Sequence, residues 1–177
     1  MVRPTPADLV AEYNDPRWKS GRIELPAERF ERGDDGGWGV GALVVDAGRA
    51  LFVRENETWL LPGGRLEEGE RLESGAAREV YEETGVSVEI TGLGAVAEQT
   101  FVHGSTGDSY EFYFATFLAE PTDENTSVDE TAPDESRLGP HNPVPRDGRI
   151  DAVEWFDAVP SAAFDRDLVV DLFDAYV

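Results

Sequence analysis

Gly64-Arg65-Leu66-Glu67-Glu68-Gly69-Glu70-Arg71-Leu72-Glu73-Ser74-Gly75-Ala76-Ala77-Arg78-Glu79-Val80-Tyr81-Glu82-Glu83-Thr84-Gly85-Val86 is the stretch on which the rest of the chain is read. A glycine-rich loop leads into a run of helical spacing, and Gly85 closes it. The spacing predicts a helix from about Leu72 to Thr84 that stops at Gly85, a suitable C-terminal glycine. Residues three and four apart share a helix face. Glu79, Glu82 and Glu83 therefore project to one side with Arg78 beside them. Ala76, Ala77, Val80 and Thr84 take the adjoining side and can pack inward. Three like charges on one face repel, so stability alone gives little reason for the pattern, whereas a bound divalent cation gives a good one. A solvated acidic face is the competing reading in an acidic chain.

The order of the residues resembles the Nudix box, G-x5-E-x7-R-E-U-x-E-E-x-G-U with U aliphatic. Gly64, Glu70, Arg78, Glu79, Val80, Glu82, Glu83, Gly85 and Val86 fill every specified position. Trp59-Leu60-Leu61-Pro62-Gly63 leads into the box as in that family, and Glu154-Trp155-Phe156 looks like its late strand. The resemblance implies an α/β fold, a Nudix-type α/β/α sandwich with a mixed central sheet. It implies a pyrophosphohydrolase that cleaves a nucleoside diphosphate linked to another moiety, by metal-activated water attack at phosphorus. Glu82 and Glu83 are the implied metal ligands, with Glu79 as a third, and Mg²⁺ is the implied cofactor with Mn²⁺ as the alternative. Arg78 joins these three in the catalytic set, orienting the glutamates by charge-assisted hydrogen bonds. Gly63 and Gly64 allow backbone to approach a ligand closely, and Glu70 holds the loop against the helix.

One detail departs from the family. Many members place Ser or Thr after the loop glutamate, where this chain has Arg71; Ser74, further in, is a candidate cap for a shorter helix. In the family the general base often comes from outside the box. Candidates are Glu98, Glu111, Glu120, Glu130 and Glu135, with the acidic 119–135 loop preferred because such loops can close on a site. The alternative is a non-catalytic Nudix-fold nucleotide-binding regulatory domain, but such domains usually lose box glutamates. An isoprenoid diphosphate isomerase of the same fold needs a cysteine, and the chain has none. Phe101 stands where ADP-ribose pyrophosphatases often carry a proline, about fifteen residues past the box, so the nucleotide substrate stays open.

Composition bounds the rest. The chain has 177 residues, enough for one domain with a real core. The expected division is a single domain over 1–177, with an N-terminal extension over 1–36 and an acidic loop over 119–148. The extension either caps the domain or helps form a homodimer. No cysteine is present, so disulfides and thiolate metal sites are excluded. No apolar run approaches the roughly 20 residues that span a membrane, and Met1–Asp8 lacks the apolar core of a signal peptide, so a cytoplasmic protein is expected. The net charge is −22 and the pI about 4.2, and Lys19 is the only lysine. This surface suggests a halophile, and it argues against non-specific nucleic-acid binding.

Strands are expected over Trp38–Val45, Ala50–Arg54, Thr58–Leu61, Val86–Ile90 and Leu93–Thr100, then a hairpin to Leu118 and a strand from Ile150 to Phe156. Short elements are expected earlier, a helix over Ala7–Tyr13 and a strand at Arg22–Leu25. A last helix from Pro160 or Ser161 should bury Phe164, Leu168, Val169, Leu172 and Phe173. His103 and His141 share no metal spacing. Trp38, Phe101 and Tyr110 could stack on a base, although core packing is the commoner role for such residues.

Overall fold

The computed structural model describes residues 4–13, 16–32, 37–122 and 143–177. In chain order these form α1 (Pro6–Glu12), β1 (Arg17–Leu25), α2 (Ala27–Arg32), β2 (Gly37–Asp46), β3 (Arg49–Glu55) and β4 (Thr58–Leu60). They continue as β5 (Gly63–Arg65), α3 (Leu72–Thr84), β6 (Val88–His103), β7 (Ser109–Pro121), β8 (Ala152–Phe156) and α4 (Arg166–Tyr176). The strands make one mixed sheet along the path β1-β6-β7-β2-β3-β4, with β5 on β2 and β8 on β3. β1 runs parallel to β6, β7 parallel to β2, and the β6–β7 hairpin is antiparallel.

β2 explains the layering. Its run is apolar at successive positions because both faces are covered. Val40, Ala42 and Val44 join the cluster that holds Leu9 of α1 and Leu72, Ala76 and Val80 of α3. Leu43 points the other way and joins Val169 and Leu172 of α4. The sheet therefore lies between α1 and α3 on one face and α4 on the other, the expected α/β/α arrangement.

Several elements differ from expectation. β1 spans nine residues rather than four: parallel pairing to β6 supplies a backbone ladder that its polar side chains do not announce. The two strands expected from Val86 to Thr100 are one strand, β6, carrying register shifts at Ile90/Gly92 and Leu93/Ala95; such bulges absorb a break in alternation without ending the strand. β5 was hidden by its glycines. α2 lacks a sequence signal beyond Pro26. α4 begins only at Arg166, and Phe164, expected in the buried stripe, is 65% exposed ahead of it. Part of the N-terminal extension caps the core, since Leu9 is buried and Tyr13 packs edge-on against Phe117. Most of the expected acidic loop, residues 123–142, and with it Glu130, Glu135 and His141, lies outside the described residues.

Candidate active site

α3 starts at Leu72, with Arg71 at its N-cap position and no side-chain cap bond, so Ser74 caps nothing. It ends at Gly85, whose φ of 72° is the left-handed conformation that favours glycine. The buried positions are Leu72, Gly75, Ala76, Glu79, Val80, Glu83 and Thr84. The inward face thus includes two of the three glutamates: Glu79 is 8% exposed and Glu83 4%. Glu82 stays exposed at the rim, and Ala77, expected inside, is only half-buried.

Glycines make room for these carboxylates. β5 pairs with β2 at Gly41↔Gly63 and Val40↔Gly64, which sets the turn after Pro62 against the sheet. A Cβ on Gly64 would lie 2.5 Å from Glu79 Oε2, and one on Gly63 2.6 Å from the Val40 carbonyl oxygen. Neither position tolerates a side chain unless its surroundings move. The Gly63 N–H donates to Glu83 Oε2 at 3.0 Å and aims that carboxylate at the turn.

Arg78 is the hub. Its Nε and Nη2 donate to the two oxygens of Glu70, both at 2.9 Å, a bidentate pair. Its Nη1 donates to Glu79 Oε1 at 2.9 Å and Glu82 Oε2 at 3.0 Å, and Nη2 also to the Arg65 carbonyl at 3.1 Å. Five bonds match the five N–H groups of a guanidinium. Glu70 also accepts from the Glu67 N–H at 3.2 Å, so it ties the loop to the helix as expected. One oxygen each of Glu79 and Glu82 turns toward Arg78, and among the described residues no three acidic or histidine side chains are already gathered as a metal cage.

The electrostatics follow from burial. Arg78 holds the Glu70 carboxyl below the usual range. Its own guanidinium is held more firmly protonated, chiefly by the hydrogen bond to Glu70. Loss of water pushes Glu79 up, against the pull of Arg78. Loss of water likewise pushes Glu83 up to about 7, with the Glu79 charge adding to the rise and the Gly63 N–H opposing it.

The expected residues Gly63, Gly64, Glu70, Arg78, Glu79, Glu82 and Glu83 are thus brought together. The other candidates have partners of their own. Glu111 accepts from the Tyr113 hydroxyl at 2.5 Å. Glu120 pairs with Glu89 in the β6–β7 ladder. Glu98 opposes Tyr113 there, whose phenol is pushed up chiefly by its hydrogen bond to Glu111, with the Glu98 charge adding a little. His103 Nδ1 accepts from the Ser105 and Thr106 N–H groups and closes the hairpin turn. Trp38 is buried against Tyr113, while Phe101 and Tyr110 stack on each other at 5.2 Å. Two residues escaped the sequence reading: Asp147 and Arg149, whose charges both reach Glu83. An acid and an arginine two positions apart give no signal in a chain this rich in acids.

The chain belongs to the Nudix family: the NUDIX domain matches residues 37–159, and the matched span contains the whole site just described. More particularly, it is 39% identical over 98 residues to a MutT-like protein of Streptomyces ambofaciens, a match covering 54% of this chain and 63% of that one. The chain thus spans less than two thirds of that curated relative. The fold is similar to that of a MutT NUDIX hydrolase from Burkholderia pseudomallei, with TM-score 0.57 and 21% identity over 78% of this chain and 98% of that one. A NUDIX hydrolase from Nitrosomonas europaea aligns with TM-score 0.55 and 21% identity over 81% and 73%.

Proposed function

We propose that the protein is a Nudix pyrophosphohydrolase dependent on a divalent cation, cleaving a nucleoside diphosphate linked to another moiety by water attack at phosphorus. The observation that carries this reading is the buried pair Glu79 and Glu83, both less than a tenth exposed against the Gly63–Gly64 turn. Burying two carboxylates side by side opposes folding unless something compensates them. Among the described residues Arg78 bonds Glu79, the Gly63 N–H bonds Glu83, and the charge of Arg149 favours both in ionised form. An all-oxygen donor set of this kind suits Mg²⁺ or Mn²⁺. Glu79, Glu82 and Glu83 would hold the ion, drawing Glu79 and Glu82 from Arg78 while the bidentate Glu70 pair keeps the guanidinium in place. When bound, the ion supplies an acidified water and neutralises charge at phosphorus.

The chain's own residues do the rest. Gly63 fixes the direction of Glu83, Glu70 orients Arg78, and the absence of side chains at Gly63 and Gly64 leaves room for β2 and for the Glu79 carboxylate. The retained box glutamates weigh against a purely regulatory binding domain. The decisive experiment is a hydrolysis panel of nucleoside diphosphate derivatives with Mg²⁺, with and without chelator. Turnover lost on chelation is expected; no turnover of any member would sink the hydrolase reading in favour of the binding domain.

We also infer that residues 1–177 form one domain, because α1 and α4 each contribute to a core cluster. The acid excess fits a salty cytoplasm, since about 1 M salt shortens the Debye length to about 3 Å and removes self-repulsion. Among the described residues no helix is long and apolar enough to cross a membrane. The melting temperature should rise between dilute buffer and molar KCl; an unchanged value would refute the halophile assignment.

A further inference from the structure

Residues 143–151 lie outside the box, yet they are fastened across the C-terminal end of α3. The Val144 N–H donates to the Thr84 carbonyl at 3.0 Å and the Arg146 N–H to the Glu83 carbonyl at 3.2 Å. These are among the last carbonyls of the helix, which have no partner within it. The Arg146 guanidinium stacks over the Tyr81 ring at 4.8 Å. Further on, Ile150 is buried in the cluster that holds Val80 and Val86, and the Asp151 N–H donates to the Arg54 carbonyl at 2.7 Å.

The fastened segment carries Asp147-Gly148-Arg149. Arg149 Nη2 donates to Asp147 Oδ2 at 2.9 Å, and its Nε lies 3.3 Å from both carboxylate oxygens. The Arg149 N–H also donates to Asp147 Oδ1 at 2.9 Å. The Arg149 side chain is nevertheless 63% exposed. Taken alone this is a surface ion pair, a class that contributes little to stability.

Its position makes it more than that. The Arg146 N–H bond to the Glu83 carbonyl docks this segment at the end of α3 that carries Glu83, and the Arg149 charge favours the ionised forms of Glu79 and Glu83. Arg78 has spent all five of its N–H groups on Glu70, Glu79, Glu82 and the Arg65 carbonyl. Arg149 by contrast bonds Asp147 through its Nε and Nη2, and its side chain is largely exposed. An anionic substrate approaching a carboxylate cluster in a chain of net charge −22 is repelled unless a cation receives it. A guanidinium suits that task, because its fork matches two phosphate oxygens at once.

We propose that Arg149 is the residue that binds the substrate's phosphate, and that phosphate displaces Asp147 from it. Asp147 is then a positioning residue, which holds the guanidinium beside Glu83 until substrate arrives. The assignment rests on the hydrolase reading for its substrate, and its test is separable from that reading.

The test combines calorimetric titration of inorganic pyrophosphate into the Mg²⁺-loaded full chain with kinetics on whichever panel substrate the wild type hydrolyses. Arg149→Gln should weaken pyrophosphate binding and raise KM by about 10–100-fold, the worth of a charged hydrogen bond or two. Arg149→Lys should fall between, since it keeps the charge and loses the fork. Asp147→Asn should tighten binding about 2–5-fold, because a competitor of surface-pair strength is removed. Melting curves on all three establish that they fold. Pyrophosphate binding within twofold of wild type in Arg149→Gln would overturn the proposal. So would weakening by Asp147→Asn as large as that of Arg149→Gln, which would make the pair a scaffold, or wild-type protein that binds no pyrophosphate. A wild type that binds pyrophosphate through Arg149 but hydrolyses nothing would sink the hydrolase reading alone.

Discussion

α3 and α4 pack on opposite faces of the same sheet, and they bury different chemistry. α4 sends Val169 and Leu172 into the cluster built on Leu43, Ala50, Phe52 and Ala95. α3 sends Ala76 and Val80 into its own cluster, but its inward face also carries Glu79 and Glu83. Apolar burial stabilises by about 25 cal/mol per Å², so the α4 face favours folding throughout. On α3 the two carboxylates oppose that gain, and Arg78, the Gly63 N–H and the charge of Arg149 offset them in part. One helix is arranged for stability alone. The other accepts a cost, which is the pattern expected where chemistry rather than packing selects the residues.

The difference can be broken by mutation, beginning with the largest effect. Glu82→Gln or Glu83→Gln should each reduce kcat by roughly 10²–10⁴-fold, the scale of removing a group that stabilises transition-state charge directly or through a metal, with circular dichroism unchanged. Near-normal rates in both variants would defeat the metal assignment. Leu172→Ala should do the reverse: Leu172 is fully buried, so unfolding free energy should fall by about 2–5 kcal/mol. Its kcat at permissive temperature should match wild type; a comparable loss of catalysis would mean that the two faces are not separable.

pH offers a finer test. An acid whose folded pKa is raised binds its proton more tightly in the folded state than in the unfolded one. Glu83, moved from 4.5 to about 7, therefore gives up stability as pH rises between those values, by up to about 3 kcal/mol. The stability of the metal-free wild type minus that of Glu83→Gln should fall across pH 4.5–7, and saturating Mg²⁺ should flatten the curve. A difference constant with pH would show that Glu83 ionises as freely as in the unfolded chain. The smallest effect concerns the start of α3, which has no side-chain cap. Arg71→Ser should raise unfolding free energy by about 1 kcal/mol without changing kcat, read from denaturant midpoints.

Much of α3 was legible beforehand because its signals are local. Helical spacing, the glycine stop and the box order all lie within one short stretch, and its bounds emerged as expected. Which glutamates face inward was less legible. Spacing puts Glu79, Glu82 and Glu83 on one side, but the sheet covers only part of that side, so Glu82 stays at the rim. The long β1 and the continuous β6 were not legible for a related reason. Their ladders come from partners far along the chain, and polar side chains or bulges hide them in any local window. Phe164 is apolar and at helical spacing, which predicts burial, but the first turn of α4 begins after it and leaves it exposed.

The sequence by itself determined the family, the α/β/α layering and the residues gathered at the site, since a motif and a hydrophobic period are written in neighbouring letters. Only the tertiary structure decided that Arg78 is fully occupied by its carboxylates and the Arg65 carbonyl, that Glu83 is held away from water on the Gly63 turn, and that Asp147 and Arg149 are docked at the end of the same helix. Those relations join residues tens of positions apart. They arise because unpaired carbonyls at the end of α3 and the buried Ile150 fasten one segment over another, and no local pattern encodes that docking.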